Sequence, residues 1–325
     1  MQLAGRLQAC IGGVLAASLA AGCLPAPQAD TPAPEPARTL VETGNRHALY
    51  QEDGVEDARW LEISRSEENG GPIGGYFTSP QNARRALVLL LQGANPGWAD
   101  MRLPHTLMTH LSLGWAFVQA GFPTWTPYIP ECGIPYGRED LDAVLAAIDW
   151  LKGDGAAAFN TDRLYVVGYS KGATLATLAN LQRPVTAYVS LNGLTQPDSL
   201  EGGWLVYALT VTVYPANEGF CQLKSTLDAY GPPGSPAWDV LDAVSRIGQL
   251  YSPELFVHAL DDPVYPSEGT RAMQNRYRAG LAADEQLVPL EFIFLPGFNH
   301  FAVRTDPAIH QQVIDYLMRF EPAEP

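Results

Sequence analysis

The residues whose types and spacing could do chemistry centre on Gly168-Tyr169-Ser170-Lys171-Gly172, a G-x-S-x-G run. It follows the apolar stretch Leu164–Val167 and opens Ala173–Leu181, a helix-compatible run. A serine on a sharp strand-to-helix turn presents its hydroxyl at the carboxyl end of the strand. Glycines on either side let strand and helix approach where side chains would collide. The bland alternative is a plain strand–helix turn that contains a serine. A serine hydroxyl is a weak nucleophile at neutral pH. It acts as one when a base takes its proton and a carboxylate orients that base. The pattern therefore asks for a histidine and an acid after Ser170, at carboxyl ends of strands.

His300 meets the first requirement. It lies in Leu295-Pro296-Gly297-Phe298-Asn299-His300-Phe301, a Gly/Asn loop after an apolar strand. The other histidines are worse placed. His105 and His110 fall in or near a helix, His47 precedes the core, His258 lies inside a strand, and His310 is in the last helix. Two adjacent aspartates, Asp261 and Asp262, compete for the acid. Successive side chains at a strand end point in different directions, so one of the two faces the histidine. Asp198 is a more distant candidate. An acyl-transfer site also needs backbone N–H groups aimed at the developing oxyanion. One is expected from Lys171, directly after the nucleophile. The other is expected from Ala94, or from Asn95, in Gly93-Ala94-Asn95-Pro96-Gly97.

Positioning these residues needs a sheet. Residues 58–65 alternate apolar and polar, and 74–80 read as a second short strand, together an antiparallel entry. From Arg85 onward strands and helices alternate. Strands are expected at 85–92, 124–129, 163–169, 186–191, 254–260 and 290–295. Helices are expected at about 104–120, 139–152, 270–283 and 307–320. In the second helix Leu141, Val144, Leu145, Ile148 and Leu151 fall on one face. This rhythm implies a mostly parallel, doubly wound sheet, with ligands bound beyond the carboxyl ends of its strands. One interval, from about 194 to 250, breaks it. A structureless loop that long is rare in a compact domain, so it reads as a helical cap or lid over the rim. Its Trp204, Tyr207, Tyr214 and Phe220 form the cap's own core or line an apolar pocket.

The net charge of −15 argues against nucleic acid as a partner and against a basic membrane-binding face. Arg6 precedes the uncharged run Ala9–Ala21, which is short for a membrane span and reads as an export signal. It ends in Leu19-Ala20-Ala21-Gly22-Cys23, which resembles a bacterial lipobox, although Ala20 stands where a leucine is usual. That resemblance makes residues 1–22 a signal peptide and Cys23 the lipidated first residue of the mature protein, anchored in the cell envelope. An ordinary cleaved signal or an uncleaved anchor are the alternatives. Residues 23–40, rich in Pro and Ala, form a polyproline-like tether. The folded domain spans 41–325. In an oxidising compartment, Cys132 and Cys221 make a reasonable disulfide, pinning the cap to the body; two unrelated buried thiols are the alternative. With no CxxC and no HExxH, the chain offers no metal site.

The order Ser170, Asp262, His300 on this alternation resembles the α/β-hydrolase fold, over roughly residues 55–322. Residues 258–266, HALDDPVYP, resemble the family's acid segment, H-G-x-x-D-x-x-V-P, with Ala259 in place of Gly. That alignment puts Asp262, rather than Asp261, in the catalytic place. Residues 297–301, GFNHF, resemble its histidine segment. Residues 92–97, QGANPG, stand where the family often has H-G-G, with Gln92 replacing His. The resemblance implies a serine hydrolase acting on a small acyl ester, without metal or organic cofactor. Two other readings are a peptidase of the prolyl-oligopeptidase type and a non-catalytic envelope protein using the fold as a binding module. Peptidases of that type usually carry a large N-terminal propeller, and here fewer than about sixty residues precede the sheet. The oligomeric state is left open.

Overall fold

The computed structural model describes residues 39–43, 47–51, 54–64, 71–93, 102–129, 138–197 and 236–322. A short antiparallel hairpin, β1 (Thr39–Thr43) and β2 (His47–Gln51), comes first. The main sheet has eight strands: β3 (Val55–Ile63), β4 (Ile73–Pro80), β5 (Ala86–Leu91), β6 (Thr124–Pro127), β7 (Arg163–Tyr169), β8 (Ala187–Leu191), β9 (Glu254–Ala259) and β10 (Leu290–Leu295). Their spatial order is β10-β9-β8-β7-β5-β6-β4-β3. The six strands from β5 to β10 run parallel, while β4 pairs antiparallel with both β3 and β6. The expected mostly parallel sheet with an antiparallel entry is what the chain forms.

The central strands are apolar on both faces because helices cover both. Ala86, Val88 and Leu90 of β5 share one core with Tyr165 and Val167 of β7. That face is covered by α2 (Trp115–Gln119), through Phe117, and by α6 (Pro307–Met318), through Ile309, Val313 and Leu317. Leu87, Leu89 and Leu91 point the other way. They meet Val144, Ile148 and Leu151 of α3 (Arg138–Lys152) and Leu175, Ala176 and Ala179 of α4 (Lys171–Asn180). A strand buried on both sides has no polar face to alternate with, which is why these runs read as continuous apolar sequence. The helix before α2 is α1 (Arg102–Thr109), and α5 (Glu268–Ala282) precedes β10. Helix α6 begins on a side-chain cap, Asp306 Oδ1 accepting from Ala308 N at 2.8 Å, with proline in its first turn.

One departure from the sequence reading is local. The expected single helix over 104–120 is broken by a wide π turn at His110–Gly114. That turn carries His110 into the core, where its ring nitrogens meet the hydroxyls of Thr78 at 2.9 Å and Thr126 at 2.8 Å. Burial holds this imidazole neutral, its pKa lowered to about 3. The interval expected to cap the rim is described only in part. Residues 198–235 lie outside the described residues, and with them Trp204, Tyr207, Tyr214, Phe220, Asp198 and Cys221. Its last part, 236–250, includes a 3₁₀ turn at Pro236–Leu241. There Trp238, Leu241 and Ile247 are packed with Phe256 and Met273 in a third core beside α4.

A buried carboxyl ties the nucleophile-bearing helix to the sheet. Glu254, at the start of β9, is fully buried. Its Oε1 lies 2.6 Å from Thr177 Oγ1 on α4 and 2.7 Å from Ser190 Oγ on β8. Those two hydroxyls are 2.7 Å from each other, and Ser190 Oγ is 3.0 Å from Ala173 O. The Asn180 amide donates to Oε2 at 2.9 Å. Two hydroxyl protons cannot serve all the contacts among these oxygens. A carboxyl proton supplies a third and frees Ser190 to donate to Ala173 O. Burial accordingly raises the Glu254 pKa, against the hydrogen bonds from Asn180, Thr177 and Ser190. Glu254 thus favours folding when protonated. That contribution is complete below the ordinary carboxyl range and is lost as pH climbs through the raised value. Glutamine mimics the protonated acid and cannot ionise. In thermal unfolding, Glu254→Gln should gain on wild type progressively as pH rises from the ordinary carboxyl range toward the raised value; a difference that stays flat as pH rises would contradict a raised Glu254.

Candidate active site

Ser170 stands between the last residue of β7 and the first of α4, with φ 56° and ψ −121°. A β-carbon disfavours this conformation, and such strain persists only where the surroundings over-determine it. They do so here. The Ser170 N–H donates to Leu191 O at 2.8 Å, and Ser170 O accepts from Ala173 N at 2.9 Å. Helix and strands are pressed together at two glycines. A β-carbon on Gly168 would overlap the carbonyl of Gly172, and one on Gly172 would overlap the carbonyls of Leu91 and Gln92. Neither position has room for any side chain, so the G-x-S-x-G spacing is a packing requirement.

Three side chains expected from the sequence come together on this rim. His300 Nε2 lies 2.8 Å from Ser170 Oγ, and His300 Nδ1 lies 2.6 Å from Asp262 Oδ2. All three residues are buried. Asp262 Oδ1 accepts from the N–H groups of Val264 at 2.7 Å and Tyr265 at 2.9 Å. The carboxylate therefore accepts Nδ1–H, which leaves Nε2 to accept the Ser170 hydroxyl proton. Asp261 is exposed and its N–H donates to Phe298 O at 3.1 Å. The geometry thus separates the two aspartates, which the sequence alone left in competition.

The histidine loop is held from both sides. Tyr169 Oη and Asn192 Nδ2 each donate to the carbonyl of His300 at 3.1 Å. Asn192 also accepts from Ala259 N at 2.8 Å, so it bridges the ends of β8 and β9 to the His300 loop. Burial raises the Tyr169 phenol, keeping it a donor. His258 supports the acid. Its Nε2 donates to Tyr265 O at 2.8 Å, and its Nδ1 accepts from Thr270 Oγ1 at 2.8 Å. It is neutral, its pKa lowered by burial. None of these supports stands out from the sequence pattern. Asn192 left one signal, an Asn-Gly pair directly after an apolar strand, and it takes the left-handed φ of 53° that asparagine tolerates.

Of the two expected oxyanion donors, Lys171 is the first residue of α4, where helix N–H groups have no intrahelical carbonyl. Ala94 lies outside the described residues, as does Asn95. Its neighbour Gly93 reaches the nucleophile: a β-carbon there would stand 3.2 Å from Ser170 Cβ. Cys23 and Cys132 are also outside the described residues. The Lys171 side chain, which no sequence pattern explained, is buried and forms an ion pair with Asp140 in the first turn of α3. Asp140 did leave a trace. It precedes Val144 and Ile148 by one and two helical steps, so it falls on the apolar stripe rather than on the solvated face.

No protein-family model matches the sequence, and no curated protein does. Solved structures match in fold. One is a protein of unknown function from Agrobacterium tumefaciens described as an α/β hydrolase (TM-score 0.50, 16% identity, 80% of this chain and 95% of that one). Another is a truncated carbohydrate esterase from gut microbiota (TM-score 0.59, 16% identity, 83% and 98%). A third is an acylaminoacyl peptidase from Pyrococcus horikoshii (TM-score 0.55, 15% identity, 89% of this chain), of which the match spans 48%. At these identities the likeness is one of fold. The chain has the α/β-hydrolase fold, as its mostly parallel eight-stranded sheet and these neighbours agree.

The separation of the aspartates is measurable. A fluorophosphonate phosphonylates a serine, with fluoride leaving, only when a base activates it. Asp262→Asn should slow labelling by about a thousandfold or more, because the histidine loses its orienting acceptor. Asp261→Asn should stay within about twofold, since it touches neither ring nitrogen. The reverse ranking would reassign the acid.

Proposed function

We propose that the protein is a serine hydrolase that cleaves a carboxylic ester through an acyl-enzyme, with Ser170, His300 and Asp262 as its triad. The observation that carries the reading is the continuous line Asp262 Oδ2, His300 Nδ1, His300 Nε2, Ser170 Oγ, at 2.6 and 2.8 Å, on a strained turn at the sheet rim. Ser170 Oγ attacks the acyl carbon while its proton passes to His300 Nε2. The carbonyl oxygen takes the negative charge and is held by the N–H groups of Lys171 and Ala94. Collapse breaks the bond to the leaving alcohol, which takes the proton from Nε2. Water then repeats the sequence on the acyl-enzyme and releases the acid. Asp262 keeps Nδ1 protonated throughout. The steps use no metal or organic cofactor.

The same parts could cleave an amide, and one fold neighbour is an acylaminoacyl peptidase. A panel of p-nitrophenyl esters of graded chain length beside peptide p-nitroanilides decides between them. Ester turnover that vanishes in Ser170→Ala, with peptide turnover far lower, is expected. A wild type that takes no fluorophosphonate label would remove the enzymatic reading and leave the binding-module alternative.

We further propose that residues 1–22 are a signal peptide, that Cys23 carries a lipid anchor on a tether running to residue 40, and that Cys132 and Cys221 form a disulfide. Metabolic labelling with an alkynyl fatty acid in a bacterial host should tag the wild type and not Cys23→Ala. Non-reducing peptide mapping should show Cys132 and Cys221 in one linked peptide; separate free thiols there would exclude the bridge.

A further inference from the structure

Ser170, Asp262 and His300 follow three different strands, β7, β9 and β10, and their loops are tied together in two unlike ways. The acid and base loops are tied by backbone. Leu260 N donates to Leu295 O at 2.9 Å and Asp261 N donates to Phe298 O at 3.1 Å, so Asp262 and His300 ride on one two-loop unit. That unit meets the nucleophile side through side chains. Tyr169, the residue before Ser170, donates from Oη to His300 O at 3.1 Å. Asn192, directly after β8, donates from Nδ2 to the same oxygen at 3.1 Å. Both residues are buried.

Asn192 is joined to the nucleophile turn through its neighbour. Leu191 O accepts the Ser170 N–H at 2.8 Å, Asn192 N donates to Val257 O at 2.9 Å, and Asn192 Oδ1 accepts from Ala259 N at 2.8 Å. Two adjacent residues thus touch the nucleophile turn, the acid strand and the base loop. The plain alternative is that Asn192 is there to satisfy two buried backbone groups. That accounts for the bond to Ala259 N. It does not account for the bond to His300 O, because the Tyr169 hydroxyl already gives that carbonyl a donor. A second donor, from the end of a neighbouring strand, adds direction. One bond leaves the carbonyl able to swing about its donor, and two do not. The imidazole hangs from the same residue, so a swing of that carbonyl carries Nε2 away from Ser170 Oγ.

We propose that Asn192 and Tyr169 are positioning residues for the general base: their paired hydrogen bonds to the His300 carbonyl set the reach from His300 Nε2 to Ser170 Oγ, while the backbone ties keep the Asp262–His300 pair together without them. This rests on the serine-hydrolase reading above and assigns the two halves of the triad to different supports. Loss of the two donors slows proton transfer from Ser170 Oγ to His300 Nε2, which falls on kcat and leaves KM nearly unchanged. The Asp262–His300 hydrogen bond survives it.

The variants that test this are Tyr169→Phe, which keeps the ring and its packing, Asn192→Gly, which accepts the φ of 53°, and the two together. Each single variant should lower kcat on the best ester about fivefold, and the double about a hundredfold, more than the product, because each donor covers in part for the other. KM should stay within about twofold, and fluorophosphonate labelling should slow in step with kcat. The Nδ1–H proton held by Asp262 should give a far-downfield proton resonance in wild type and in all of these variants, identified by its loss in Asp262→Asn. A loss of activity confined to KM, or a double variant that loses the resonance along with its activity, would make the two residues general supports of the loops and overturn the proposal. So would a folded double variant with kcat within about twofold of wild type. If the glycine variants do not fold, Tyr169→Phe decides by itself: an unchanged kcat overturns the proposal, and a loss of about fivefold with the resonance kept sustains it. A wild type that neither turns over esters nor takes a fluorophosphonate would instead remove the hydrolase reading, and this inference with it.

Discussion

Everything at this site depends on one strained residue. Ser170 is held at φ 56° and ψ −121°, a conformation its own β-carbon opposes. What holds it is contact without side chains: Gly168 against the Gly172 backbone, and Gly172 against the backbone of β5. The sheet and α4 are locked at closest approach, and the turn between them has nowhere else to go. The cost is local and is offset by the two large cores that seat the sheet between its helix layers. A turn relaxed by even a small amount would move Ser170 Oγ away from His300 Nε2.

The rim is then assembled by loops that share supports. The ends of β8 and β9 reach the His300 carbonyl through Asn192, and Tyr169, next to the nucleophile, reaches the same carbonyl from the other side. The acid loop is closed by two backbone donors onto Asp262 and by His258 holding Tyr265. A base placed by three elements is less free to rotate than one placed by its own loop, and its orientation decides which nitrogen faces the serine. Below the rim, buried polar groups fasten α4 at two points along its length. The Glu254 network holds its middle and end, and the Lys171–Asp140 pair holds its start. Such groups are costly to bury. Both fasten the one helix that starts directly after the nucleophile.

Much of this was legible in the sequence. Strands buried on both faces appear as unbroken apolar runs, and β7 and β10 fall on the residues expected of them. Helix α3 shows its stripe at the helical period. G-x-S-x-G is legible because steric exclusion demands glycine at fixed places, and steric rules are local. The π turn at His110 was hidden because it answers to Thr78 and Thr126, which lie 32 and 16 residues away. The hairpin of β1 and β2 left no pattern strong enough to single out.

By itself the sequence determined the order of elements, the sheet class, the serine on its turn and a histidine able to reach it. These follow from periodicity, glycine sterics and chain order, all readable within a short window. The tertiary structure alone decided between Asp261 and Asp262. Adjacent residues at a strand end face opposite ways, and which way is set by the Val264 and Tyr265 amides and by the arrival of His300 from 38 residues on. It alone gave Lys171 a partner. A charge in an apolar stretch is unexplained in one dimension, and Asp140 is brought to it only when two helices pack side by side on the same face of the sheet.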